Sequence, residues 1–209
     1  MNKYKNRFID LVNYPNKLDE IMNVHDDFNT NKFEIINGNQ KGVALNIGVD
    51  DENPNEHILK AYINFDRIHN PKLPELIYYF RILNDKNQFL PGTLYSRIKS
   101  KPYIPKDADS KITDKINLMF NELIKMDKPN EFVMATYEKL SGNSLLRFEK
   151  LVKHIESIGY RLAKSGINLE GKHFWVFSLN INESTTDFDI TKLIDRTDED
   201  WDRITNLIK

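Results

Sequence analysis

SLLRFEKLVKHIESIGYRLAKSG, residues 144 to 166, is the stretch on which the fold turns. At 100° per residue, Phe148, Leu151, Val152, Ile155, Ile158 and Leu162 fall on one narrow arc. That spacing is the mark of an amphipathic helix laid on a core, and it predicts a helix over 144–165. The charges are sorted by sign. Arg147, Lys150, His154, Arg161 and Lys164 share one stripe, and Glu149 and Glu156 lie together beyond it. A basic stripe on a long helix suits phosphate or an acidic partner, and it equally suits simple solvation.

Two strands are predicted on either side. EFVMATY (131 to 137) precedes the helix, and Ser141-Gly142-Asn143-Ser144 makes the turn and cap into it. Gly166 and Gly171 bracket its end. HFWVFSLNI (173 to 181) is the most strand-like run in the chain, with Trp175, Phe177, Leu179 and Ile181 on one face. A strand–helix–strand unit of this kind can pair in parallel through a crossover.

Further upstream the period changes. KFEIIN (32 to 37), GVALNIGV around Val43 to Val49, and ILKAYINFD (58 to 66) alternate apolar and polar residues. In the last of these, Leu59, Ala61, Ile63 and Phe65 oppose Lys60, Tyr62, Asn64 and Asp66. Period-two alternation predicts half-buried strands, here an antiparallel meander covered on one face. Pro74 suits the first turn of a helix running to about Leu83. Ile112, Ile116, Met119, Phe120 and Leu123 predict a further helix from about Ser110 to Met126, ended by Asp127-Lys128-Pro129. Short helices are expected at 3–13, from Asn16 to about 27, and at 198–208, where Trp201 packs on the domain.

The fold class is therefore α+β. A mostly antiparallel sheet of about five strands is covered by two long amphipathic helices, with short helices at both termini. The chain reads as a single domain over 1–209, with residues 1–30 as a candidate helical subdomain.

The 209 residues carry 30 Lys plus Arg against 31 Asp plus Glu, so any nucleic-acid contact depends on a local patch. Aromatic residues, 11% of the chain, supply enough apolar surface to offset ordering entropy. There is no cysteine, which excludes disulfides, thiolate zinc sites and cysteine nucleophiles. Residues 1 to 20 contain no signal-peptide-length apolar run, and no stretch is long and apolar enough to span a membrane. The expected location is cytoplasmic, with no membrane partner and no cofactor.

Two clusters carry candidate chemistry. TLYSRIKSKPYIPK (93 to 106) interleaves Tyr95, Arg97, Lys99, Lys101 and Tyr103, a pattern that can grip phosphates and stack on bases. Beside the helix stripe it would form one basic patch. Asp50 and Asp51 end one strand and Asp66 ends the next, as carboxylates that hold Mg²⁺ often do. The five histidines show no ligand spacing, and no phosphate-binding glycine loop or nucleophile elbow occurs. The leading expectation is a non-enzymatic protein that binds another macromolecule through the basic patch. The alternatives are nucleic-acid binding through the same residues and a metal-dependent phosphodiesterase using Asp50, Asp51 and Asp66.

Overall fold

A computed structural model describes residues 22–24, 33–37, 41–50, 57–67, 70–86, 88, 109–136, 142–168 and 171–180. Among them are strands β1 (Met22–Val24), β2 (Glu34–Asn37), β3 (Lys41–Asp50), β4 (His57–Asp66) and β5 (Glu75–Asn84), then helix α1 (Asp109–Met126) and strand β6 (Glu131–Ala135). Helix α2 (Gly142–Ser157), β7 (Arg161–Ile167) and β8 (His173–Ser178) come after them. The sheet order is β1-β3-β4-β5-β6-β8-β7, with β2 also on β3. β5 and β6 run parallel, while β1 with β3, β6 with β8 and β7 with β8 run antiparallel. The class is α+β, as the periodicities require. The terminal helices over 3–13 and 198–208, and Trp201, lie outside the described residues. The helix expected from Asn16 does not run through 22–24, which are strand.

The described residues divide into two compact units. One comprises residues 1–33, 44–62 and 78–116, and the other 34–43, 63–77 and 117–209.

In the second unit the core is aromatic. Phe132 of β6 lies 5.1 Å from Phe65, 5.9 Å from Phe120, 4.9 Å from Tyr160 and 5.1 Å from Phe177. Phe148 of α2 stacks on Trp175 at 5.3 Å. Phe65, Phe132, Trp175 and Phe177 therefore mark the sheet face that carries both helices. Leu151 and Ile155 are buried and Lys150 and Lys153 exposed, so the sequence read the packing face of α2 correctly. The opposite face of this unit is also buried, by Leu73, Val133, Phe174 and Val176. Met119, Phe120 and Leu123 place α1 on the core, and Lys41 Nζ donates to the Met126 carbonyl at its C-terminal end.

The long helix predicted over 144–165 stops at Ser157. Gly159 adopts φ +104°, a conformation that side chains rarely tolerate and that breaks the helical run. Ser157 Oγ donates to the His154 carbonyl, and Gly159 N–H to the Glu156 carbonyl. Tyr160 is then drawn into the core, its hydroxyl donating to the Pro129 carbonyl at 2.8 Å. Burial pushes its phenol pKa up, and the charge of Asp127 adds to the effect. The chain leaves as β7, not as helix. The strand–helix–strand unit exists as β6–α2–β7, but β8 inserts between its two strands and runs antiparallel to both.

Residues 75–84, expected as a helix after Pro74, form β5. The polar set of β4, expected to face solvent, is buried: Lys60 is 4%, Asn64 0% and Asp66 3% exposed. The meander is thus covered on both faces at β4 and β5.

Candidate functional site

The basic stripe of the sequence divides in the structure. Arg147, Lys150 and His154 lie on α2, whereas Arg161 and Lys164 lie on β7. Opposed residues of an antiparallel pair share a face. Arg161 opposes Ser178 and Lys164 opposes Val176, so both sit on the face away from α2. Leu162, Ser165 and Ile167 oppose Phe177, Trp175 and His173, on the helix side. Tyr95, Arg97, Lys99, Lys101 and Tyr103 lie outside the described residues.

His154 is half-buried between the helices. Its Nε2 lies 2.8 Å from Asn121 Oδ1 of α1, and desolvation lowers its pKa against a weaker opposing bond to the Asn117 backbone. The ring ties α1 to α2 and favours the neutral form.

Asp50 closes β3 and Asp66 closes β4, where its carboxyl is buried; Asp51 lies outside the described residues. Among the described residues no three His, Asp or Glu side chains gather as a metal site.

Among the elements whose burial is described, β7 is the most exposed. Six of its seven residues are open, including Leu162 at 37% and Ile167 at 61%, and among the described strands it pairs with β8 alone. Its backbone is set by two local devices. A bulge between Leu162 and Lys164 reverses the facing of the residues beyond it. Gly166 leaves room for the Phe174 ring, since a Cβ there would meet Phe174 Cε1 and Cζ at 2.8 Å. The result is an edge with two cations on one face and two apolar side chains on the other.

A second feature of the same unit is a cavity of about 360 Å³ at the strand ends. Its walls are Arg67 after β4, the Pro71–Pro74 approach to β5, the Pro129–Glu131 entry to β6, and Ser178 with Asn180 after β8. Arg67 is fixed by a two-pronged pair with Asp127, at 2.6 and 2.8 Å.

The first unit holds a buried polar row on β4 and β5. Lys60 Nζ sits 5.8 Å from the Tyr62 ring centre, Tyr62 stacks on Tyr79 at 5.1 Å, and the charge of Arg81 bears on the Tyr79 phenol. Burial raises the Tyr79 pKa, the neighbouring Tyr62 adds to the effect, and Arg81 opposes it more weakly. Alternation gives Lys60 and Tyr62 to solvent, and Tyr79 and Arg81 read as part of a helix, so no signal in the sequence marks this row.

No family model and no curated protein sequence matches the chain. Among the described residues no helix is long and apolar enough to cross a membrane.

Proposed function

We propose that the chain is a non-catalytic interaction protein that takes an extended, acidic segment of a partner protein along strand β7. The carrying observation is the edge itself: a strand at one end of the sheet order, exposed along its length, with Arg161 and Lys164 on one face and Leu162 and Ile167 on the other. An added strand gains main-chain hydrogen bonds from such an edge, and its alternate side chains fall on alternate faces. The complementary segment alternates acidic with apolar residues, its acids beside Arg161 and Lys164 and its apolar side chains beside Leu162 and Ile167. Edges left open are usually guarded by charge against self-pairing, and the two cations serve that purpose against copies of the same edge.

Fluorescence anisotropy with a peptide of alternating Glu and Val, against its Lys–Val counterpart, tests the reading. The acidic peptide should bind at least about tenfold more tightly, and Arg161→Glu with Lys164→Glu should reverse the preference. Equal binding of both peptides overturns the proposal. Tighter binding of a single-stranded oligonucleotide, steeply salt-dependent and lost on charge reversal at Lys99, Lys101 and Lys150, would replace it with nucleic-acid recognition.

A further inference from the structure

The pattern that the β7 edge calls for occurs in this chain itself, a short way past β8. Residues 187 to 190 read Asp-Phe-Asp-Ile, acid and apolar in alternation, and they lie outside the described residues. On β7 the two cations are three residues apart, yet their partners on β8, Ser178 and Val176, are two apart. The bulge between Leu162 and Lys164 absorbs the extra residue. Arg161 and Lys164 therefore repeat at about 6.6 Å, the spacing of alternate residues on a regular strand. Asp187 and Asp189, when extended, have the same repeat.

Reach and direction agree with this match. β8 ends at Ser178, which opposes Arg161, so the chain leaves β8 beside the start of β7. The outer side of β7 is two strand spacings from β8, about 10 Å. Six residues, 181 to 186, separate Asn180 from Asp187, and extended they span up to about 20 Å. A segment entering from that end runs parallel to β7. It meets Arg161 with Asp187, Leu162 with Phe188, Lys164 with Asp189 and Ser165 with Ile190. Both acids then lie on the face of the cations. Both apolar side chains lie on the face where Leu162 and Ile167 are exposed. A tether this short holds the segment at an effective concentration of about a millimolar, enough to populate a weak contact.

We infer that residues 187–190 dock on the outer edge of β7 of their own chain as a parallel strand, and that a partner's segment must displace them. The inference rests on the reading of β7 as a recognition edge.

The chain has no cysteine, so two introduced cysteines have a single intramolecular product. Ser165 is exposed and tolerates exchange. Ser165→Cys with Ile190→Cys should form a disulfide within one chain under mild oxidation, read as a monomer of altered mobility on a non-reducing gel. Lys153→Cys with Ile190→Cys, on the exposed side of α2, should form it at least about tenfold more slowly. Equal rates for the two pairs, or a disulfide-linked dimer in place of the monomer, overturn the inference. Binding of the Glu–Val peptide gives a second reading that needs no cysteine. Asp187→Asn with Asp189→Asn should bind it at least about threefold more tightly than the parent chain, as for an edge otherwise occupied two-thirds of the time. Equal affinity of parent and variant overturns the inference. If that variant still prefers the Glu–Val to the Lys–Val peptide, β7 keeps its role as a recognition edge and only the docking of 187–190 falls. If it shows no preference, both readings fall.

Discussion

Strand β5 is buried at eight of its ten positions, whereas β7 is exposed at six of its seven. β5 has a strand on either side, β4 and β6, and β7 has β8 alone among the described strands. Both are strands of one sheet, yet side-chain burial assigns them opposite work. The apolar surface of β5 is removed from water on two faces and underwrites stability. β7 contributes little burial and leaves its side chains available for something else. The difference teaches that position in the sheet order, rather than strand character, separates the parts of this molecule that hold it together from those that can be used for recognition.

The comparison breaks most sharply at Phe80, fully buried in β5. Phe80→Ala should cost about 3–5 kcal/mol in denaturant unfolding, and a loss under about 1 kcal/mol would remove β5 from the core. Gly166→Ala is the next largest. The new Cβ must displace the Phe174 ring, so the cost should be about 1–3 kcal/mol, and adding Phe174→Leu should recover part of it. A gain in stability on Gly166→Ala would mean that β7 is not held against β8 as described.

A smaller effect is expected from pH. His154 has a lowered pKa in the folded state, so the fold takes up its proton less readily than the unfolded chain does. Its contribution is complete above the unfolded value of about 6.5 and is lost as pH falls below it. Between about pH 7.5 and 5, the melting temperature of His154→Gln should fall less than that of the parent protein. Parallel profiles would show that the ring is not held neutral between the helices. The smallest effect belongs to Ile167→Ser on the open edge. It should change stability by no more than about 0.5 kcal/mol while weakening the acidic peptide. A large stability loss there would turn β7 from a recognition edge into a structural one.

The same contrast explains what could be read from the sequence. β3 and β4 alternate at Val43, Leu45 and Ile47 and at Leu59, Ala61, Ile63 and Phe65, and they were legible as strands. The α1 face through Ile112, Ile116, Met119, Phe120 and Leu123 was legible as helix. Alternation marks only a strand that is half buried. β5 is buried on both faces and a bulge interrupts the alternation of β7, so neither displays the period, and Pro74 and the run into Leu162 suggested helix instead. The polar side of β4 misled in the other direction. Lys60, Asn64 and Asp66 signal solvent in a linear reading, and only tertiary packing buries them. As for the candidate surface, Arg161 and Lys164 were singled out, but their separation from Lys150 rests on Gly159 and the register with β8. A glycine that must turn left-handed looks in sequence like any other.

Trp175 gives the molecule a built-in optical reporter. The indole is stacked between Phe148 of α2, at 5.3 Å, and His173 at the start of β8, at 6.0 Å. Shielded from water, it should emit at short wavelength while α2 is docked and shift to the red when α2 lifts away. With Trp201 replaced by Phe, one fluorescence trace can therefore track the seating of α2 on the sheet.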